Sequence, residues 1–587
     1  MIFHSLDFLV FVVITLAAYW SLPLRGQNVL LLVASYVFYG WVHPWFLGLI
    51  FATTFIDYWS ARSMAQRPEH KKAWLWLSII TNFGMLGFFK YFGFFAANLA
   101  GVAASVGWHV PQAAFEILLP VGISFYTFQS MSYTIDVYRN HAPARTSFVD
   151  MAGFVSFFPH LVAGPIMRAT NLLPPFERER LFSATAARDA TVLIVWGFFK
   201  KLVIADNVGV IANKVFALES PEFPVLWAGV FAFAIQIYAD FSAYTDIARG
   251  VAKWFGFDLI RNFEQPYLAA SPSEFWRRWN ISLSTWFRDY VYIPLGGSRV
   301  GASREAVNVM VTFLASGLWH GASWNYVLWG AYHGTLLVLD RMVGRLWSPS
   351  DRVRRALRMV QVPAMFVLTC VGWLIFRETD LAQLTHHLQL MPIGVSALSL
   401  SAGIYLFLLA FLYSIPLWVQ DLWAELGGPD LSLAIDQAET TVRTSRPVWG
   451  DGGSDRRAPQ PDLPRLHLLR VLTVAAVALR PGIIPIGVGL TPIISIATVD
   501  CGRVHLRRRP WGLRHGCVFG RRRVVQRQDF HRERFPTVGA GARDQGRTGD
   551  RGGRHGGHTR PRGAVDQTAR SRRPHRRPWL QRRASTH

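Results

Sequence analysis

The sequence predicts an all-α polytopic membrane protein with about ten transmembrane helices. Three observations predict it. The 587-residue chain is 51% hydrophobic and only 17% charged, against about 25% charged for a soluble domain. Its apolar runs recur at the length of a span, roughly 20 residues. Its charge is segregated: residues 1–440 hold 30 Lys+Arg and 28 Asp+Glu, whereas residues 441–587 hold 31 and 9. The formal +24 therefore belongs to the last quarter, and the nearly neutral apolar body excludes a nucleic-acid-binding body. The 23 Trp and 42 Phe exclude disorder for most of the chain, and three cysteines (Cys370, Cys501, Cys517) exclude a disulfide framework or a Cys-based zinc site.

In chain order, apolar stretches fall near 7–24, 28–41, 44–61, 73–89, 114–135, 149–166, 189–211, 223–247, 305–319, 323–340, 362–377 and 398–419. Several are short, or are broken by Gly, Pro or a charge such as Lys90 or Lys200-Lys201, which suits helices around a polar interior. The first stretch has no basic flank before it and no small-residue cleavage site after it, so it reads as a retained span rather than a signal peptide. Arg62, Arg67, Lys71 and Lys72 place their loop in the cytoplasm, and counting back puts the N-terminus outside. Residues 262–304 are too polar to span lipid and too aromatic for a solvent loop. They predict an interfacial or re-entrant helix with its charges facing a protein-lined cavity.

We divide the chain at about residue 436. The segment 437–587 is Arg-rich and low in order, with 31 Arg and no Lys after residue 440. Arg runs at 507–509 and 521–523 sit among Gly clusters with no helix or strand period. Such composition fits out-of-frame translation of GC-rich DNA. The competing reading is a basic arm for RNA or anionic lipid. Residues 483–499 are apolar but punctuated by Pro and Gly, a weak span.

No G-x-S-x-G elbow, P-loop, H-E-x-x-H or glycine-rich dinucleotide turn is present. The strongest constellation is Gly317-Leu318-Trp319-His320-Gly321-Ala322-Ser323-Trp324. A lone His is commonly a satisfied core residue. Here flanking glycines allow close backbone approach, and ionisable groups at membrane depth tend to be functional. The chemistry open to a neutral His320 is general base catalysis on an acceptor hydroxyl. The second constellation is Glu274-Phe275-Trp276-Arg277-Arg278-Trp279-Asn280, continuing to Phe287-Arg288-Asp289-Tyr290. On one continuous helix Trp276, Asn280 and Phe287 would share a face. Arg277 and Arg278 could meet phosphates of a nucleotide-bearing donor; alternatively they anchor to headgroups or pair with Glu274 and Asp289. Asn280 would orient substrate or imidazole. Asp240 and Asp246 are expected to pair with Lys200, Lys201 or Arg249, and His160 is expected at a helix end. His333, His386 and His387 show no metal-ligand spacing, so no metal is expected.

Six blocks carry a family resemblance: the Phe3–Trp20 opening, FPHLVAGPIMR at 158–168, GFFKKLVIAD at 197–206, YADFSAYTDIA at 238–248, NFEQPYLAASPSEFWRRWNISLSTWFRDYVYIPLGG at 262–297 and GLWHGASWNYVLWGAYHG at 317–334. In this order they resemble the membrane-bound O-acyltransferase family, and within it the bacterial branch of alginate O-acetyltransferase membrane subunits. The likeness covers most of residues 1–420. It implies helices around a central tunnel, His320 at the catalytic histidine position and Asn280 at the second polar position, where this branch often has His. Ala243 stands where a Gly is expected. Trp276, Arg277, Arg278, Asp289, Trp319 and Trp324 are the further candidates for binding or orienting the donor or substrate.

The resemblance implies no bound cofactor, with acetyl-CoA as the acyl donor from the cytoplasm. The acceptor hydroxyl would lie beyond the bacterial inner membrane, and the partners would be periplasmic acetyltransferase proteins, polysaccharide synthesis and export machinery and membrane lipid, with no nucleic acid. Rivals in the same fold are D-alanyl transfer to teichoic acid and peptidoglycan O-acetylation. A transporter without chemistry is the reading from another class. The family continues in further membrane helices where this chain turns Arg-rich. Restoring a normal C-terminal end is therefore expected to raise membrane abundance, measured by quantitative immunoblot; equal abundance would defeat the out-of-frame reading's consequence.

Overall fold

The computed structural model describes residues 1–428 except 2, 109–116, 163 and 348; the expectations for 437–587 fall outside the described residues. Among the described residues every regular element is helical. The chain opens with α1 (Leu6–Trp20), α2 (Leu24–Gly40) and α3 (Phe46–Gln66). Ser5 caps α1 by accepting from the Phe8 amide (3.2 Å). The Met1 amino group donates to Phe38 O (3.2 Å), so the N-terminus sits at the far end of α2, on the opposite side from the turn that ends α3.

Then come α4 (Lys71–Leu86), a π-helical turn (Gly87–Tyr91) and α5 (Phe92–Ser105). The next helix, α6 (Ile123–Tyr138), is buried at twelve of its sixteen positions. Following it are α7 (Phe148–Ser156) and two single turns, α8 (Ala169–Leu172) and α9 (Pro174–Glu177). Next, α10 (Ala184–Phe199) runs through a π-helical stretch (Lys200–Ala205) into α11 (Asp206–Phe216), and α12 (Phe223–Trp254) follows, 32 residues long. Two short helices follow, α13 (Pro272–Arg278) and α14 (Ile281–Phe287), with a π turn (Arg288–Tyr292). The rest is α15 (Ala302–His320), α16 (Trp324–Leu346), α17 (Asp351–Arg377), α18 (Leu381–Gln389) and α19 (Ala397–Glu425).

Among the described residues four helical stretches are long and apolar enough to cross a membrane: Pro68–Ser105, Phe223–Trp254, Asp351–Arg377 and Ala397–Glu425. Most of α12 is buried, and α10, α11, α17 and α19 pack around it. One apolar core joins α1, α2, α6 and α7 to the end of α12, and a second joins α12 to α13, α17 and α19.

Three expectations are corrected. Residues 149–166 are no span: α7 stops at Ser156 and a buried turn follows, where the Phe158 amide donates to Ser35 Oγ (3.0 Å) and Gln129 Nε2 to Phe154 O (2.6 Å). The segment is apolar because protein covers it, and Pro159 and Pro165 prevent a longer helix. Within the expected span 114–135, residues 117–122 are not helical, α6 starts at Ile123 and is wrapped by protein, and 114–116 lie outside the described residues. Trp276, Asn280 and Phe287 share no helix, because Asn280 is left-handed (φ 41°, ψ 58°) and separates α13 from α14. His160 lies in the turn after α7, where its Nε2 meets Gln129 Oε1 (2.7 Å).

The expected carboxylate pairing is present. Lys200 reaches Asp246 (2.7 Å), Lys201 reaches Asp206 and Asp240 (2.9 Å each), and Arg249 reaches Asp246 (3.2 Å). A further buried carboxylate, Asp57 on α3, accepts from Ser78 and Asn82 on α4 and Ser130 on α6. Asp57→Leu would orphan these donors, so it is expected to cost about 1–3 kcal/mol. That loss would read as a lower thermal midpoint in detergent, with Asp57→Asn intermediate.

Candidate active site

The site is built on the C-terminal end of α15. That helix starts in a charged cluster: Glu305 accepts from Arg341 (2.6 Å) and Arg345, and Asn308 donates to Gly297 O (3.1 Å). It ends at His320 because Gly321 is extended (φ −166°, ψ 157°). Two glycines make the ending possible. A Cβ on Gly317 would stand 2.1 Å from Tyr326 O, and one on Gly321 would stand 2.1 Å from the Tyr326 ring. The expectation that these glycines permit close approach therefore holds, with α16 as the approaching backbone.

His320 is half-buried and meets three rings edge-on, Trp319 (5.0 Å), Trp329 (5.1 Å) and Phe376 (5.3 Å). Its imidazole makes no hydrogen bond to another described residue. Beside it, the indole nitrogens of Trp276 and Trp329, His333 Nδ1 and Asn325 Oδ1 are buried without partners. Buried polar atoms are normally satisfied, so such a concentration marks room for a ligand or water.

A cavity of about 820 Å³ opens at the charged start of α15 and extends along it. Its rim carries Arg277, Arg278, Arg288, Arg341 and Arg358; its wall carries Trp276, Phe287, Val309, Thr312, Phe313 and Ser316. Ser316 is four residues before His320, on the same helix face. From Glu305 to His320 is fifteen residues, about 22 Å at 1.5 Å each. Trp276 bridges the cavity wall to the buried rings, contacting Trp329 (5.6 Å) and His333 (5.1 Å).

The short helices at the mouth are fixed by local chemistry. Ser271 caps α13 by accepting from the Glu274 amide (3.2 Å), Pro272 occupies the first turn, and Glu274 accepts from the Ala270 amide (2.8 Å). Asn262 caps α14, its Oδ1 accepting from the Ser282 amide (3.0 Å). A network ties the mouth together: Arg278 to Glu274 (2.7 Å) and Glu425 (2.7 Å), and Arg358 to Glu274 (3.1 Å) and Glu425 (2.9 Å).

The sequence-selected residues separate into groups. Trp276, Arg277 and Arg278 line the cavity. Arg278 is committed to carboxylates, whereas Arg277 is exposed and unpaired among the described residues. Asp289 is a structural partner of Arg168 (3.1 Å) and Arg288 (2.8 Å). Trp319 packs on Phe125 and Phe128, away from the cavity, and Trp324 is exposed and donates to Asn98 (3.0 Å). Asn280 is buried (4% exposed), strained, and without a side-chain hydrogen bond to a described residue, but it does not line the cavity. Sequence reading missed His333, which meets Trp276 and Trp329 edge-on, and the Arg341 and Arg358 rim; only the Trp-x-x-x-His spacing of Trp329 and His333 hints at a shared face.

Residues 45–379 match the profile described as MBOAT, the membrane-bound O-acyltransferase family. The chain is 42% identical over 385 residues to the probable alginate O-acetylase AlgI of Azotobacter vinelandii, covering 65% of this chain and 76% of that protein. It is 33% identical over 417 residues to the peptidoglycan O-acetyltransferase of Helicobacter pylori (66% and 77% covered). It is 27% identical over 293 residues to the teichoic acid D-alanyltransferase of Bacillus subtilis (46% and 70% covered).

The mouth network makes stability depend on pH. Burial raises the Glu274 carboxyl, but the Ala270 amide, Arg358 and Arg278 outweigh it and hold the group below its ordinary 4.5. Its contribution is thus complete above about pH 4.5 and is lost as pH falls through the lower folded value. Glu274→Gln is expected to reduce thermal stability at pH 7 and to flatten the decline between pH 5 and 3, measured by thermal unfolding in detergent.

Proposed function

The chain belongs to the membrane-bound O-acyltransferase family, and from that premise we propose that it moves acetyl groups across the bacterial inner membrane for O-acetylation of an exported, alginate-like polysaccharide. One observation carries this reading: the Arg-rimmed cavity ends one helical turn short of His320. In the proposed path the donor, acetyl-CoA, enters from the cytoplasmic rim with its phosphates toward Arg277 and its thioester toward Ser316 and His320. The cavity is the cytoplasmic half of a tunnel through a bundle of about ten spans.

Orientation is supported by the contacts at the rim. Lys71, beside the basic loop, donates to Asn140 (2.7 Å), and Arg139 donates to Asp289 O (3.0 Å), next to rim residue Arg288. The basic loop and the rim thus share a side, taken as cytoplasmic, with the N-terminus on the other.

In the chemical step His320 takes the proton of the acceptor hydroxyl as its oxygen attacks the acyl carbon. The C–O bond forms, the C–S bond breaks, and the imidazolium returns the proton to the leaving thiolate. The unpartnered indole N–H groups of Trp276 and Trp329 leave donors for an acyl oxygen. Asn280 is assigned as an orienting residue, since a buried left-handed Asn is retained against strain. The acceptor is a hydroxyl of a periplasmic acetyltransferase or of the polymer itself.

Ester-linked acetate on exported polysaccharide tests the reading, in cells lacking the native gene and at matched membrane abundance. His320→Ala is expected to lower acetate by on the order of 10²–10⁴-fold, the usual worth of a general base. Equal acetate from parent and variant would remove His320 from the mechanism.

A further inference from the structure

The general-base reading of His320 leaves one question of geometry. His320 is the last residue of its helix, where backbone carbonyls run out of intrahelical partners and helices fray. A base held by a fraying turn would not keep a productive angle. Here the turn is held from outside. The Lys90 ammonium donates to Trp319 O, the carbonyl of the very peptide that carries the His320 N–H. Lys90 also donates to Ser124 Oγ on α6 (3.1 Å), and Tyr91 donates its hydroxyl to Leu318 O (2.7 Å). Two consecutive orphan carbonyls at the end of α15 are thus taken by two consecutive residues, 229 and 227 positions earlier in the chain.

Both residues lie in the π-helical turn Gly87–Tyr91, and π turns concentrate at functional sites. A cation at a helix C-terminus is favourable with the helix dipole, and a lysine in an apolar helix is costly unless it has such a use. Lys90 has no carboxylate partner among the described residues, which sets it apart from Lys200 and Lys201. Its ammonium also stands 5.5 Å over the Trp319 ring.

We propose that Lys90 and Tyr91 are positioning residues for acyl transfer: they clamp the Leu318 and Trp319 carbonyls and so fix the His320 imidazole against the acyl path. This rests on the reading of His320 as the base. The clamp does not touch the donor cavity, whose lining contains neither residue. Its loss should therefore lower kcat and leave the apparent KM for the donor alone.

The test uses the full chain in membrane vesicles with its polysaccharide machinery, titrating radiolabelled acetyl-CoA and counting polymer-bound acetate per molecule of enzyme. Lys90→Met is expected to lower kcat on the order of 10- to 100-fold, the scale of an ångström-sized misplacement, with KM within about twofold. Lys90→Arg, which keeps a cation and donors, is expected to recover most of it. Tyr91→Phe removes one oxygen and is expected to lower kcat by about 3- to 10-fold; it decides the question if Lys90→Met does not accumulate. Parent kcat in the variants, or a loss carried only by abundance or KM, would overturn the clamp. His320→Ala as active as the parent would instead overturn the function reading, so the two failures are distinguishable.

Discussion

A bundle closed to water must satisfy its own charges, and the arrangement of this protein follows from that constraint. Hydrocarbon offers no partner to a buried polar group, so each must find one on another helix. Lys200 and Lys201 on the π-helical stretch between α10 and α11 find Asp240 and Asp246 on α12, which locks three helices at one depth. Asp57 collects donors from α4 and α6. Glu274 and Glu425 collect Arg278 and Arg358, which joins the short α13 to the ends of α17 and α19. Breaking one member of such a pair strands a charge and costs more than the pair contributes.

Arg277 at the rim has no carboxylate partner among the described residues, and the indoles of Trp276 and Trp329, His333 and Asn325 near His320 keep unpartnered atoms. Buried polar atoms without partners also occur elsewhere among the described residues, for example at Thr54, Gln236 and Asn262; what sets this group apart is its place beside His320, where each orphaned donor costs about 1–3 kcal/mol unless a ligand or water meets it. The cavity runs from the guanidinium rim along one face of α15 as far as Ser316, one turn before the helix's last residue.

Parts of this were legible in the sequence because they depend on local chemistry. Gly317 and Gly321 flank His320, and their purpose needs only the absence of a Cβ. Lys-Lys opposite two Asp in apolar helices admits few solutions, so their pairing could be read. The polarity of 262–304 announced a cavity-lining segment, and Arg277 and Arg278 do line it. Other parts were hidden. The left-handed turn at Asn280 defeats a helical-face reading, since nothing but Asn262, 18 positions earlier, explains why the chain breaks there. Residues 149–166 mimic a span because hydropathy does not distinguish burial in protein from burial in lipid. His333 and the Arg358 rim belong to the site only through contacts that no spacing encodes.

The depth of His320 constrains the order of events. His320 stands about 22 Å along the axis of α15 from Glu305, beyond the reach of a nucleotide held at the rim unless a long arm joins nucleotide to thioester. A pantetheine thioester has such an arm, and a short acyl phosphate does not. The rim arginines already paired to Glu305, Glu274 and Glu425 cannot move inward without stranding those carboxylates. A donor held by its phosphates at the mouth would therefore reach His320 only with its acyl end. On the proposed reading an acceptor hydroxyl approaches from beyond His320, where Gly321 turns the chain toward α16. Separation of the two substrates on opposite sides of one imidazole would then let a single helix end pass on an acyl group without opening a path for the donor itself.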